Sequence, residues 1–399
     1  MKIGFLSVFN YGSSIGGVEN HIYFISQELS ALGHDVIIFQ PYENLATNEP
    51  SISKDDNVTI VKIPIKPNSL ANFLNRYNGA GSLGFLTGFL NKAKYLLHYR
   101  QVANIIESYN CDLIHQHDFI SNVLTTKRLN KRGTPCILTN HTGEYLFFKK
   151  SFFGRIILKL ILVHYRAVIG PSKELTPSEH HNSTTIYNGA DLSLFKSSSE
   201  VQKKSIRTAL QLKDDDFIVL CPRRWAPTKG VLYLIESIVS KNYDQKIKFL
   251  FAGSDYDGYE KYRTKLMSIL ENSNQQASVK LLGNLSIPKM VEAYSIADVV
   301  IIPSLMEAVS LSAIEAMACG AVVISTNVGG MPELIKHQEN GLLIPPKSPE
   351  EIHEKITLLF QSREMLHSIQ KNGFSTVVDF TWKSIASKTE AIYIETVQP

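Results

Sequence analysis

The segment Val299-Val300-Ile301-Ile302-Pro303-Ser304-Leu305-Met306-Glu307-Ala308-Val309-Ser310-Leu311-Ser312-Ala313-Ile314-Glu315-Ala316-Met317-Ala318-Cys319-Gly320, followed by Val322-Val323-Ile324, reads as strand, loop, helix, strand. The first strand ends at Pro303, and a helix begins near Ser310. Unbroken apolar strands of this length belong inside a parallel sheet that helices cover on both faces. Upstream, Phe217-Ile218-Val219-Leu220, Lys248-Phe249-Leu250-Phe251-Ala252 and Val279-Lys280-Leu281-Leu282 repeat the strand pattern with helical stretches between them.

The amino-terminal half shows the same alternation. Ile3 to Val8 is a short apolar run, and Val18 to Leu32 has helical spacing through Ile22, Ile25 and Leu29. Gly33 stops that helix, and Val36-Ile37-Ile38-Phe39 is the next strand. Val58–Ile63, Leu113-Ile114-His115, Cys136–Thr139 and Ala167-Val168-Ile169-Gly170 continue the series. The polar run Lys196-Ser197-Ser198-Ser199-Glu200 reads as a linker. The predicted class is therefore α/β, with two Rossmann-like doubly wound domains, 1–196 and 197–380, facing a central cleft. A helical tail at 381–399 is expected to pack back on the first domain.

Composition agrees with this. The chain has 399 residues, 44% hydrophobic and 20% charged, too many for one ordinary core and suited to two. Cys111, Cys136, Cys221 and Cys319 are widely spaced and read as reduced, mostly buried thiols of a cytoplasmic protein. The start, Met1-Lys2-Ile3-Gly4-Phe5-Leu6-Ser7-Val8-Phe9, lacks a small-residue cleavage site and reads as the first buried strand. No apolar run reaches the ~20 residues that span a bilayer.

The net charge of +4 is too mild to argue for nucleic acid. Its distribution is more informative. Between Asn57 and Ile106 there is no acid but Lys62, Lys66, Arg76, Lys92, Lys94 and Arg100; between Tyr145 and Lys173 there is none but Lys149, Lys150, Arg155, Lys159, Arg166 and Lys173.

Open parallel sheets bind ligands beyond the carboxyl ends of their strands, where helix starts offer free N–H groups to a diphosphate. The helix at Ser310, Leu311 and Ser312 is such a start, flanked by Glu307 and Glu315, which can accept hydrogen bonds from sugar hydroxyls. Pro222-Arg223-Arg224-Trp225-Ala226-Pro227-Thr228-Lys229-Gly230 also follows a strand directly, and Arg224 and Lys229 suit a departing diphosphate. Gly16 and Gly17 stand before a helix and let backbone approach a ligand. They are not the spaced fingerprint of a dinucleotide site, which disfavours a nicotinamide dehydrogenase. His115, His117 and His141 follow strands, with no third metal ligand evident; His141 is the preferred functional histidine and no metal is expected. Asp255-Tyr256-Asp257 has the spacing of metal-dependent sugar transferases of another fold and reads as a solvated turn.

These residues, taken in order, resemble the retaining glycosyltransferases of family 4, which have the GT-B fold. The likeness rests on the E-x7-E pattern from Glu307 to Glu315, continuing through Cys319-Gly320 to Val328-Gly329-Gly330-Met331-Pro332-Glu333 and Asn340-Gly341-Leu342-Leu343. Gly16-Gly17-Val18-Glu19, Asn188-Gly189-Ala190-Asp191 with Phe195, and Arg224 with Lys229-Gly230 match as well. The resemblance implies that Arg224 and Lys229 hold the donor diphosphate, joined by Gly16 or Gly17 and the backbone at Ser310, Leu311 and Ser312. It implies that Glu307 contacts the donor sugar, Glu315 the ribose, Leu282 and Gly283 the base, and His141 the sugar and acceptor. Catalytic roles would fall to Glu307, His141, Arg224 and Lys229, with no cofactor and no metal. Two departures stand out: Glu307-Ala308-Val309-Ser310 replaces the frequent Glu-Gly-Phe-Gly, and Arg223 stands where a glycine commonly precedes the arginine.

Phe147 to Tyr165 mixes Phe148, Phe152, Phe153, Ile156, Ile157, Leu160 and Ile161 with Lys149, Lys150, Arg155 and Lys159. A basic amphipathic helix of this kind lies on anionic membranes, against the plainer reading of an apolar face turned into the core. The expected function is hexosyl transfer from a UDP- or GDP-type donor to an acceptor glycan or lipid-linked sugar, in surface polysaccharide or glycolipid synthesis. The protein would be cytoplasmic and peripheral to the membrane. The alternatives are a nucleotide-sugar epimerase or hydrolase of GT-B shape, and a non-catalytic nucleotide-sugar-binding subunit.

Overall fold

Strands with no polar face need helices on both sides, and that requirement shapes both halves of the protein. The computed structural model describes residues 1–12, 16–43, 45, 47, 49–66, 92, 94–141, 143–253, 259–273 and 278–398. It divides into two compact units, Met1–Tyr187 with Trp382–Pro399, and Asn188–Thr381. Arg76 and the Asp255-Tyr256-Asp257 turn lie outside the described residues.

The first unit carries β1 (Lys2–Leu6), β2 (Asp35–Tyr42), β3 (Ser51–Asp55), β4 (Val58–Pro64), β5 (Leu113–Gln116), β6 (Cys136–Thr139), β7 (Ala167–Gly170) and β8 (Ser183–Thr185). They pair in the order β3-β4-β2-β1-β5-β6-β7-β8. All pairings are parallel except β3 with β4, a departure from the expected wholly parallel sheet. Ser51-Ile52-Ser53-Lys54-Asp55 carries too little apolar character to sit inside, and it lies exposed along the edge. Helices α1 (Gly17–Ala31), α2 (Tyr99–Glu107), α3 (Val123–Lys131), α4 (Glu144–Lys149) and α5 (Phe152–Leu162) connect the strands. The expected stripe Ile22, Ile25 and Leu29 is the buried face of α1.

The second unit has β9 (Phe217–Pro222), β10 (Ile247–Ala252), β11 (Val279–Gly283), β12 (Val299–Ile302), β13 (Val322–Thr326) and β14 (Leu342–Ile344), parallel in the order β11-β10-β9-β12-β13-β14. Its helices are α6 (Glu200–Ala209), α7 (Val231–Ser240), α8 (Glu260–Glu271), α9 (Ile287–Ile296), α10 (Leu311–Ala318), α11 (Met331–Leu334), α12 (Pro349–Gln361) and α13 (Arg363–Val377). Phe217, Phe249, Ile301, Ile324, Ile356 and Ile369 share one apolar core beneath them. The run Lys196–Glu200 falls inside this unit: Ser199 accepts from the backbone of Gln202 and starts α6 as a capping box.

The last helix, α14 (Trp382–Val397), belongs to the first unit and packs along α1. Trp382 stacks on Phe24 with ring centroids 5.4 Å apart, Glu390 Oε1 lies 2.8 Å from His34 Nε2, and the Tyr393 hydroxyl lies 2.6 Å from His115 Nδ1.

Each sheet reverses its winding direction once near the middle, between β1 and β5 in the first unit and between β9 and β12 in the second. Loops leaving adjacent strands on the two sides of such a reversal diverge and open a crevice at the carboxyl edge. Gly16, Gly17, His141, Arg224, Lys229 and Glu307 follow those four strands or a neighbour of one, while Leu282 and Gly283 end the edge strand β11.

Candidate functional site

In the second unit β9 and β12 are paired neighbours, and the first residues of the loops that leave them lie against each other. The backbone makes that approach. Gly230 has φ +66, and a Cβ built on it would run into the Pro303 carbonyl. Next to it the Leu305 N–H donates to the Thr228 carbonyl at 2.8 Å. The two loops are therefore zipped together, and their side chains converge.

Glu307 is the focus. Lys229 Nζ donates to Glu307 Oε2 at 2.9 Å, and Arg223 Nη2 donates to the same oxygen at 2.7 Å. Arg223 also donates from Nη2 to Ser310 Oγ at 3.0 Å and from Nη1 to Ser312 Oγ at 3.4 Å. The Ser310 side chain makes no capping bond to α10. Burial alone would raise the Glu307 pKa, but the Arg223 guanidinium and the Lys229 ammonium outweigh it and hold the carboxyl below its usual range. Burial pulls the Lys229 pKa down, with Arg223 adding to the effect and Glu307 opposing it. Two cations on one carboxylate oxygen leave a positive surplus beside the start of a helix, an arrangement that attracts phosphate.

Glu315 sits further along α10 and is half-buried. Its Oε2 accepts from the Tyr294 hydroxyl at 3.1 Å, and burial pushes its pKa up to about 7. Leu311 opens α10. Leu282 and Gly283 close β11, where the Gly283 carbonyl accepts from Gly253 N at 2.8 Å. Arg224 is exposed on the loop and its charge bears on Lys229.

The structure thus joins Lys229 to Glu307 directly, and Ser310 and Ser312 to Glu307 through Arg223, which the sequence marks only as a departure. Just past the end of β9 Arg223 is buried and Arg224 exposed, and the sequence alone does not say which of the two turns inward. Tyr294 was also missed, since nothing local marks a tyrosine near the end of an amphipathic helix as a carboxylate's partner.

The first unit gathers a different chemistry at its own reversal. Gly16 caps α1 in an extended conformation and Gly17 begins it. One turn on, His21 meets His141, which follows β6, with ring centroids 4.6 Å apart. His117, directly after β5, has Nδ1 3.2 Å from His141 Nε2. One ligating atom from each of His21, His117 and His141 lies within 4.8 Å of the others, so the third imidazole that was not evident from sequence is His21. His115 is satisfied at both nitrogens, by Tyr393 and by Thr139 Oγ1 at 2.7 Å. Burial, with neighbouring imidazoles adding to it, holds His117 and His141 well below the ordinary histidine pKa, so both are neutral. The four cysteines are free thiols, three of them buried.

Basic and apolar side chains meet again on α4 and α5. Only Gly154, Leu158 and Leu162 of α5 are buried. Phe152, Phe153 and Leu160 are 71%, 77% and 64% exposed, with Phe147, Ile156, Ile157 and Val163 exposed beside them. Among the described residues no helix is long and apolar enough to cross a membrane.

Comparison with known proteins fits these features. The family described as "Glycosyltransferase Family 4" matches residues 15–194, and that described as "Glycosyl transferases group 1" matches residues 202–376. An uncharacterised glycosyltransferase of Methanocaldococcus jannaschii is 26% identical over 391 residues, covering 96% of each chain. Alpha-monoglucosyldiacylglycerol synthase of Acholeplasma laidlawii is 22% identical over 100% of this chain and 98% of its own. Among solved structures, Anabaena HepE in complex with UDP superposes with a TM-score of 0.71 at 19% identity, over 99% of this chain and 100% of that one. Two doubly wound units and the matches along both of them lead to one statement: the chain belongs to the family 4 glycosyltransferases and has the GT-B fold.

Proposed function

We propose that this glycosyltransferase moves a hexose from a UDP- or GDP-type nucleotide sugar to an acceptor hydroxyl with retention of configuration and without a metal ion. The observation that carries the reading is Glu307 held by Lys229 and Arg223 beside the start of α10. In the second unit, Lys229, Arg224 and the first N–H groups of α10 at Ser310, Leu311 and Ser312 would take the diphosphate, whose negative charge grows as the glycosidic bond lengthens. Glu307 would accept from sugar hydroxyls, Glu315 from the ribose, and Leu282 and Gly283 would border the base. In the first unit, Gly16 and Gly17 would admit the diphosphate to the backbone, and His141 would contact sugar and acceptor. The bond from C1 to the phosphate oxygen breaks, the acceptor oxygen bonds C1 from the same face, and the acceptor proton passes to the leaving diphosphate. That diphosphate is itself the base, so a neutral His141 is no obstacle.

The acceptor we propose is lipid-linked, used on the anionic cytoplasmic face of a membrane for surface polysaccharide or glycolipid synthesis. Support comes from the exposed apolar side chains of α5 beside Lys149, Lys150, Arg155 and Lys159, a charge pattern complementary to anionic headgroups. The diacylglycerol product named for the Acholeplasma relative is consistent with it.

A donor-turnover assay with and without acceptor extracts tests the reading. Transfer should appear only with acceptor, and Glu307→Ala or Lys229→Ala should lower it by on the order of a hundredfold or more. Equal donor turnover without acceptor would instead indicate an epimerase or hydrolase; no turnover with intact nucleotide-sugar binding, a non-catalytic subunit.

A further inference from the structure

The three imidazoles of the first unit have no role as a set in the transfer reaction. His21, His117 and His141 come from three separate elements, and one ligating nitrogen of each lies within 4.8 Å of the other two. A zinc ion with Zn–N distances of about 2.0–2.1 Å holds tetrahedral ligand nitrogens about 3.3–3.4 Å apart. His117 Nδ1 and His141 Nε2, which share a hydrogen bond at 3.2 Å, already have that separation, and the proton between them would give way to the ion. Bringing in the third needs a closure of at most about 1.4 Å, within reach of side-chain rotation. His117 is fully buried, and with Nδ1 turned to His141 no protein group among the described residues fixes its Nε2, so the ring is free to choose its tautomer.

The donor set is chemically selective. Three nitrogens with no carboxylate or thiolate among them suit zinc, copper or nickel and are poor for magnesium or calcium, which take oxygen. Three protein ligands also leave a fourth position open. The surroundings are built to hold rings in place: His21 lies edge-on to Trp382 at 5.5 Å, and Phe5 packs 4.7 Å from His117.

We propose that His21, His117 and His141 form a binding site for one borderline transition-metal cation of the zinc class, with its fourth position open to water or an anionic ligand. The site shares His141 with the proposed transfer reading, so a bound ion would compete with the sugar there rather than take part in transfer; zinc binding is measured without donor, so its failure and the failure of that reading are distinguishable. If it binds, the ion would occupy a nitrogen of His141.

The test uses the full chain, stripped with chelator, and zinc or cobalt(II) as the probe. Competition against a chromophoric chelator should give one zinc per chain. Cobalt(II) should produce the intense visible absorption of a four-coordinate site. His117→Ala and His21→Ala should each weaken zinc binding by on the order of a hundredfold, while His367→Ala on exposed surface leaves it unchanged. Zinc binding that survives both substitutions, or a weak octahedral cobalt spectrum in the wild type, overturns the proposal and leaves a hydrogen-bonded imidazole cluster. Should either variant fail to fold, X-ray absorption on zinc-loaded wild type decides, with three nitrogen scatterers at about 2.0–2.1 Å expected and an all-oxygen shell refuting.

Discussion

Arg223→Ala isolates the contact that the sequence least advertised. Arg223 is 8% exposed and donates to Glu307, Ser310 and Ser312. Hydrogen bonds to charged groups contribute about 1.5–3 kcal/mol each, and breaking a buried pair outright costs about 3–5 kcal/mol. Glu307 keeps Lys229 at 2.9 Å, so its charge is not abandoned and the stability loss should be about 2 kcal/mol. The larger effect falls on the carboxylate's direction and titration. Arg223 is the foremost of the charges holding Glu307 ionised against burial. Removing it raises the Glu307 pKa, so the acidic limb of the transfer rate moves to higher pH, and kcat/KM falls roughly 10- to 100-fold at neutral pH. Arg223→Lys restores the charge but not the fork that reaches both serines, and should recover part of the pH profile with little of kcat. The assay is kcat and KM for the nucleotide sugar from pH 5 to 9. Wild-type kcat/KM and an unmoved acidic limb in a folded Arg223→Ala protein would refute Arg223 as the residue that positions Glu307.

Glu315→Gln should change stability in a pH-dependent way. The folded pKa of about 7 lies above the ordinary carboxylate value of 4.5. The native state therefore holds a proton that the unfolded chain releases between those values, and stability from this group falls as pH rises through that window. Chemical denaturation without donor should show the variant about 2 kcal/mol more stable than wild type at pH 8 and no different at pH 4.5, with weaker nucleotide binding throughout. Gly230→Ala places a methyl against the Pro303 carbonyl at φ +66, and thermal melting should drop by the equivalent of about 2–4 kcal/mol. Phe152→Ser with Phe153→Ser removes two exposed rings, each contributing about 1.5–3 kcal/mol when buried in lipid. Cosedimentation with anionic vesicles at low salt should then fall at least tenfold while transfer to a water-soluble acceptor analogue is unchanged; undiminished cosedimentation would contradict the membrane reading.

Much of this was legible because strand, loop and helix each leave a local signature. The runs at Ile3–Val8, Phe217–Leu220, Val299–Ile302 and Val322–Ile324 are apolar on both faces and became β1, β9, β12 and β13. Glu307 and Lys229 could be chosen because they lie in loops that follow such strands, and the pairing of β9 with β12 puts them in contact. What stayed hidden depended on orientation or on distance along the chain. Adjacent Arg223 and Arg224 are the same residue type, so only the side chain's direction tells them apart. His21 lies far from His117 and His141 in sequence, and only the pairing of β1 with β5 and of β5 with β6 collects them. The polar run at Lys196–Glu200 has the composition of a linker and of a helix cap alike; Ser199 and Gln202, at capping-box spacing, were the available clue. The edge strand β3 gave no signal, since an exposed edge needs no apolar face.

Isothermal titration of UDP and GDP into wild type and Lys229→Ala tests the central claim most directly. The account predicts that at least one nucleoside diphosphate binds the wild type at a single site and binds Lys229→Ala roughly 10- to 150-fold more weakly, the equivalent of about 1.5–3 kcal/mol for one charge-assisted contact. Equal binding by both proteins, or no binding of either nucleotide to the wild type, would contradict it.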